Sequence, residues 1–109
     1  MTVCNTDSLG EQIQRTFPNA KVVKTLNTVN CKIMADASFL GGEHDIFICG
    51  DDSTAKSTVT DILINWFRWK SVIDLGDITN ARATEMLLPI WVRLYGKFQT
   101  PMFNFKIVK

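Results

Sequence analysis

The stretch HDIFICGDDSTAKSTVTDIL, residues 44–63, constrains the fold more than any other part of the chain. An apolar run of strand length ends at Gly50, Asp51 and Asp52 follow, and Val59, Ile62, Leu63 and Trp66 then recur at helical spacing. A strand that passes directly into an amphipathic helix predicts a layered arrangement of helices packed on a sheet. The same outline holds phosphate in many nucleotide-binding proteins, so the turn at residues 50–52 is the first place to look for chemistry.

A phosphate-holding turn needs free backbone N–H groups and no competing negative charge. Dinucleotide-binding turns supply this with G-x-G-x-x-G and P-loops with a glycine-rich loop followed by Lys. Here Gly50 stands alone, and the six glycines never fall in either spacing. A carboxylate at this position satisfies the helix N–H groups itself and suits the positive end of the helix dipole. A bound phosphate would meet Asp51 and Asp52 at a cost of about 1–4 kcal/mol per charge pair at surface-like dielectric. The turn therefore reads as a helix cap. Asp51, Asp52, Asp74 and Asp77 also follow two neighbouring strands, and hard cations favour clustered carboxylates. Each pair nevertheless has a local explanation, one as a cap and the other as a turn, so no metal site is expected.

The remaining chain alternates in the same way. DSLGEQIQRTFPN places Leu9, Ile13 and Phe17 on one stripe of a short helix, with Ser8 as its cap, Glu11 three residues on, and Pro18-Asn19 as its stop. AKVVKTLN reads as a strand ending near Asn27. TVNCKIMADASF has helical spacing until LGG breaks it, and KSVIDLG is a third strand. Thr79 is placed to cap a last long helix carrying Ala83, Met86, Leu87, Ile90, Trp91 and Leu94, which Pro89 should kink or divide. PMFNFKIVK alternates Phe103, Phe105 and Ile107, as an edge strand or a packed tail would. The expectation is an α/β chain with three to four strands and flanking helices, forming a single domain over residues 1–109.

Composition removes several function classes. Of the 109 residues 46% are hydrophobic and 21% charged, with a net charge of +1, so nothing electrostatic points to nucleic acid or an anionic membrane. The start, MTVCNTDSLG, lacks the basic and apolar regions of a signal peptide, and no apolar run approaches the length of a spanning helix. Cys4, Cys31 and Cys49 are odd in number and widely separated, which fits three buried or half-buried thiols in a reducing cytoplasm. His44, the only histidine, sits before a strand and reads as a turn or strand-edge residue rather than a general base. Glu85 and Arg82 are spaced for an intrahelical pair. No catalytic nucleophile–base arrangement stands out.

Five stretches in order, FPNAKVVKTLNTVN, HDIFICGDDSTAK, WKSVIDLGDITNAR, EMLLPIWVRLYG and TPMFNFKIV, resemble the C-terminal half of the NADP-dependent oxidoreductases related to deazaflavin-dependent NADP reductase. The resemblance runs from about Asp7 to Lys109. It implies the second half of a Rossmann-like doubly wound sheet, in which NADP is bound mainly by an N-terminal G-x-G-x-x-G half that these residues do not contain. On that resemblance the chain is a fragment, a separately encoded half, or the product of a truncated start.

The resemblance also implies hydride transfer between nicotinamide and a deazaflavin, a flavin or another small acceptor, with the cofactor supplying the chemistry and the protein its orientation. The matching cofactor-binding positions are Asn27, Thr28, Val29 and Asn30 after the first strand, together with Asn80 and Arg82 after the third. Amide and hydroxyl groups at 27 and 28 suit a carboxamide or a ring edge, and Arg82 suits an anionic group. Capping and a salt bridge to Glu85 remain the local alternatives for the same residues. A second reading is a non-catalytic interaction or dimerisation module derived from that family. An exposed sheet edge makes either a homo-oligomer or association with a nucleotide-binding half the expectation.

Overall fold

The computed structural model describes residues 6–109, so Cys4 lies outside the described part. Its elements in chain order are α1 (Leu9–Thr16), β1 (Val23–Thr25), α2 (Cys31–Ala35), β2 (Ile46–Gly50), α3 (Ser53–Asn65), β3 (Val72–Asp74), α4 (Ala81–Glu85) and α5 (Leu88–Phe98). Short 3-10 turns at Ala37–Phe39 and Ile78–Asn80 follow α2 and precede α4. The chain is α/β, as the alternation of periods predicted.

The sheet order is β1-β2-β3. β2 and β3 are parallel, with Ile46 opposite Val72, and α3 is the crossover that such a pair requires. β1 runs against β2, with Val23 opposite Gly50 and Thr25 opposite Ile48. The sheet is therefore mixed, and hydrophobic spacing alone carries no information on that direction.

The cap expectations at Asp52 and Ser8 are met. Asp52 accepts from the Ala55 amide at 2.7 Å and starts α3. Ser8 accepts from the Glu11 amide at 3.2 Å and caps α1, and its hydroxyl donates to the Glu11 carboxylate at 2.9 Å. The last helix is divided as Pro89 requires, since α4 ends at Glu85 and Pro89 sits in the first turn of α5, where its missing N–H removes no bond. Asp77, not Thr79, caps this region, accepting from the Thr79 amide at 3.0 Å. The terminal segment forms no strand and is a packed tail.

One core lies between the sheet and the helices, built from Val29, Ile33, Ala37, Ile46, Leu63 and Trp69, with Met34, Val59 and Met102 against it. Trp69 is 1% exposed, and its ring N–H points to the Met34 carbonyl at 3.4 Å. A smaller cluster joins Cys49, Ile78 and Ala81. α1 contributes Gly10 and Glu11 to the interior instead of its apolar stripe: Leu9, Ile13 and Phe17 all face outward. A Cβ on Gly10 would stand 3.2 Å from both Ala81 Cβ and Ile78 Cδ1, so the missing side chain allows α1 to sit close on the chain around α4. α5 buries no residue fully and leaves Leu88, Ile90, Val92, Tyr95 and Phe98 exposed.

Candidate functional site

The turn at residues 50–52 is structural. A Cβ on Gly50 would lie 2.8 Å from the Val22 carbonyl oxygen, so glycine is required by the approach of the neighbouring backbone rather than by a phosphate. Asp52 occupies the helix end, Asp51 accepts from the Ile78 amide at 3.0 Å, and the Lys56 ammonium donates to the Gly76 carbonyl at 3.0 Å. Lys56 also pairs with Asp74 at 3.0 Å. Burial would push the Asp74 carboxyl up, but hydrogen bonds from the Gly76 amide and Lys56 outweigh it and hold it below its usual range. Among the described residues no group of three or more His, Cys, Asp or Glu side chains is placed to hold a metal ion.

The six candidate cofactor residues fall into two groups that leave the sheet at opposite ends. Because β1 is reversed, the chain after Thr25 emerges beside the amino ends of β2 and β3, while residues 77–80 follow the carboxyl end of β3. α4 closes the gap: the Asn27 side-chain amide donates to the Thr84 carbonyl at 2.7 Å. Asn27 and the end of α4 thus meet, whereas Asn80 stays in its own turn, its amide donating weakly to the Asp77 carbonyl at 3.3 Å.

Within the first group each residue has a different task. Val29 is 5% exposed and belongs to the core. Asn30 caps α2, accepting from the Ile33 amide at 3.0 Å, and its own amide donates to the Met102 sulfur at 3.5 Å. Thr28 is 1% exposed, and its hydroxyl has no hydrogen-bond partner. Leu26, immediately before the group, has φ 66°, a left-handed conformation that a branched side chain adopts only under strain of about 1–3 kcal/mol. A strained residue and an orphaned buried hydroxyl therefore lie within three residues of each other.

Arg82 does not pair with Glu85. Its guanidinium grips Glu11 with two bonds, Nε to Oε2 at 2.8 Å and Nη2 to Oε1 at 2.7 Å, across 71 residues of sequence. The Arg82 bond holds the Glu11 carboxyl below its usual range against the opposing effect of burial. Glu85 instead accepts from the Leu9 and Gly10 amides at 2.8 and 3.3 Å, neutralising the start of α1, and lies 3.6 Å from Lys24. Helical spacing made an i,i+3 pair the default; two complementary helix ends meeting in space overrode it. Met86 is exposed, and Leu87 and Trp91 are half-buried, with the Trp91 ring stacked on Tyr95 at 5.7 Å between centroids and packed on Phe103 at 5.1 Å.

The thiols divide. Cys49 is fully buried, and burial pushes its thiol up to about 11, making it inert. Cys31 opens α2 and is exposed, contrary to the expectation of a buried or half-buried thiol. His44 precedes β2, as expected, and packs edge-on against Trp69 at 5.1 Å. What sequence reasoning missed is its partner, Asn104, which lies 60 residues away and carries no motif.

No protein-family model matches the sequence. The chain is 29% identical over 93 residues to an F420-dependent NADP reductase of Methanocaldococcus jannaschii, a match covering 85% of the chain and 41% of that protein. It is 55% identical to a solved structure of a proposed F420-dependent NADP reductase from Arthrobacter sp. FB24, with a TM-score of 0.96, covering all of this chain and 49% of the other. The chain thus has homologues that bear the reductase name, and it spans less than half the length of each. These shares are consistent with the C-terminal half inferred from the five sequence stretches. Among the described residues no helix is long and apolar enough to cross a membrane.

Proposed function

We propose that these 109 residues are one domain, the acceptor-side part of a cytoplasmic NADP(H)-dependent oxidoreductase that passes hydride between nicotinamide and a deazaflavin. The nucleotide pyrophosphate is gripped by a Rossmann-type part that this sequence does not contain. The observation that carries the reading is the loop at residues 26–30, where a strained Leu26 delivers a buried hydroxyl with no partner at Thr28. A polar atom held in that way is a reserved hydrogen bond, and local strain of this kind accumulates where ligands are held. The two reductase-named relatives support the cofactor class.

The residues fit a planar ring with carbonyl and amide edges. Thr28 supplies a hydroxyl that both donates and accepts, and the Asn27 carboxamide, anchored through its N–H to α4, keeps its oxygen for a ring N–H. Leu87 and Trp91, both half-buried, would provide apolar lining. Asn80 and Arg82 lie further off, and Arg82 would act on a cofactor by orienting α4 through its Glu11 clamp. The cofactor, when bound, supplies the hydride; this chain orients it and excludes water, and no protein acid or base is needed.

A second reading, an interaction or dimerisation module without catalysis, draws on α5, whose apolar residues are left outside. Titration of the chain with the deazaflavin, followed by tryptophan fluorescence, separates the two. Saturable quenching that Thr28→Val weakens about tenfold supports the cofactor reading. Self-association with no quenching at any concentration supports the module.

A further inference from the structure

The tail after α5 crosses the amino end of the sheet as a strap. At its start Met102 packs on the main core and takes the Asn30 amide on its sulfur, while Phe103 lies against Trp91 and Phe98. At its far end it is tied to residues 44 and 45. The Asp45 amide donates to the Phe105 carbonyl at 3.0 Å, and the Ile107 amide donates to the Asp45 carboxylate, which also receives the Ser71 hydroxyl. The Asn104 side-chain amide donates to both the Asp45 carbonyl and His44 Nδ1, each at 2.7 Å.

These contacts fix the proton on His44. A backbone carbonyl only accepts, so the Asp45 carbonyl forces the Asn104 nitrogen, not its oxygen, toward residues 44 and 45. His44 Nδ1 faces that N–H and must be a bare acceptor. The opposite ring nitrogen, Nε2, lies 3.1 Å from the Ala37 carbonyl and must carry the hydrogen. Both contacts are satisfied together by the Nε2–H tautomer. A second proton would set an N–H against the Asn104 N–H, and turning the amide over would set its oxygen against the Asp45 carbonyl. The buried Asn104 oxygen has no partner in the docked state, so a turned amide would put its NH2 where no acceptor waits.

We propose that His44 and Asn104 form a proton-operated latch that holds the strap while His44 is neutral and releases it when His44 is protonated. The charged groups around the ring do not remove the conflict. Glu43, Asp45, Arg68, Lys70 and Lys106 line the same open groove of about 880 Å³ beside His44. Lys106 is 3.4 Å from Glu43, and Arg68 is 3.7 Å from Asp36. The Asp45 carboxylate favours a cationic ring but is already committed to Ser71 and Ile107. Release would withdraw Met102 from the core and from Asn30, loosening the segment that holds Thr28.

The test is nuclear magnetic resonance of the chain between about pH 8 and pH 5, the interval in which histidine changes charge. Long-range nitrogen–proton spectra should show the Nε2–H form at the upper end. The Ile107 amide and the Asn104 side-chain amide should move with the His44 ring, and hydrogen-exchange protection at Ile107 should fall roughly fivefold to tenfold. His44→Gln should abolish that midpoint. Asn104→Leu, which removes the N–H that opposes a protonated ring, should flatten the pH dependence of Ile107 protection. An Nδ1–H ring at the upper end, or tail resonances that stay flat while His44 titrates, would overturn the latch.

Discussion

The sheet core and α5 both carry large apolar residues, in opposite environments. Around Trp69, the side chains of Ile33, Ile46 and Leu63 are no more than 1% exposed. Along α5, Ile90 is 50% exposed and Val92 55%, and the stripe of α1 is open in the same way. Larger apolar patches on a monomer's surface tend to mark contact sites, whereas singly exposed apolar residues need no such explanation. The first region makes the chain fold; the second leaves its apolar side chains without cover.

Substitutions at the two regions should therefore differ sharply. Trp69→Ala is expected to have the largest effect, a loss of about 3–5 kcal/mol in denaturant unfolding; a tolerated substitution would break the comparison at its strongest point. Glu11→Gln should come next, lowering the melting temperature by roughly 4–8 °C through loss of the Arg82 clamp. Its pH dependence has a definite sign. Glu11 has a depressed folded pKa, so its contribution is present above the unfolded value and vanishes as pH falls through the folded one. Melting temperatures below about pH 4.3 should accordingly converge for parent and variant.

α5 responds instead to local terms. Gln99 ends it in a left-handed conformation at φ 56°, and Gln99→Gly should stabilise the chain by about 0.5–1 kcal/mol in the same unfolding assay. Smallest of all, Val92→Ser should shift stability by less than about 0.5 kcal/mol while weakening any association measured by sedimentation. An equal loss of stability at Val92 and in the core would remove the distinction between the two regions.

The same contrast explains what could be read in the sequence. β2 and α3 were legible because a short apolar run, a capping Asp52 and a helical period all agree within 20 residues. Pro89 announced the division of the last helix. Periodicity also identified the stripe of Leu9, Ile13 and Phe17 correctly as apolar, but a stripe does not say whether its partner lies within these residues, and here the opposite face is buried through Gly10. The reversal of β1, the Arg82–Glu11 clamp and the His44–Asn104 contact depend on pairings 22 to 71 residues apart, which local spacing cannot encode. Of the candidate site, Asn30 and Val29 turned out to have structural tasks, and the strain at Leu26 beside the unpartnered Thr28 hydroxyl became visible only in three dimensions.

The most direct test is titration of the purified chain with NADPH, read through the fluorescence of Trp66, Trp69 and Trp91, with and without the separately produced remainder of the Arthrobacter relative. The account predicts no saturation for the chain alone up to about 1 mM, and saturable binding once that remainder is added. Saturation of the chain alone at about 1 μM would show a complete nucleotide site within these residues and contradict the assignment to the acceptor side.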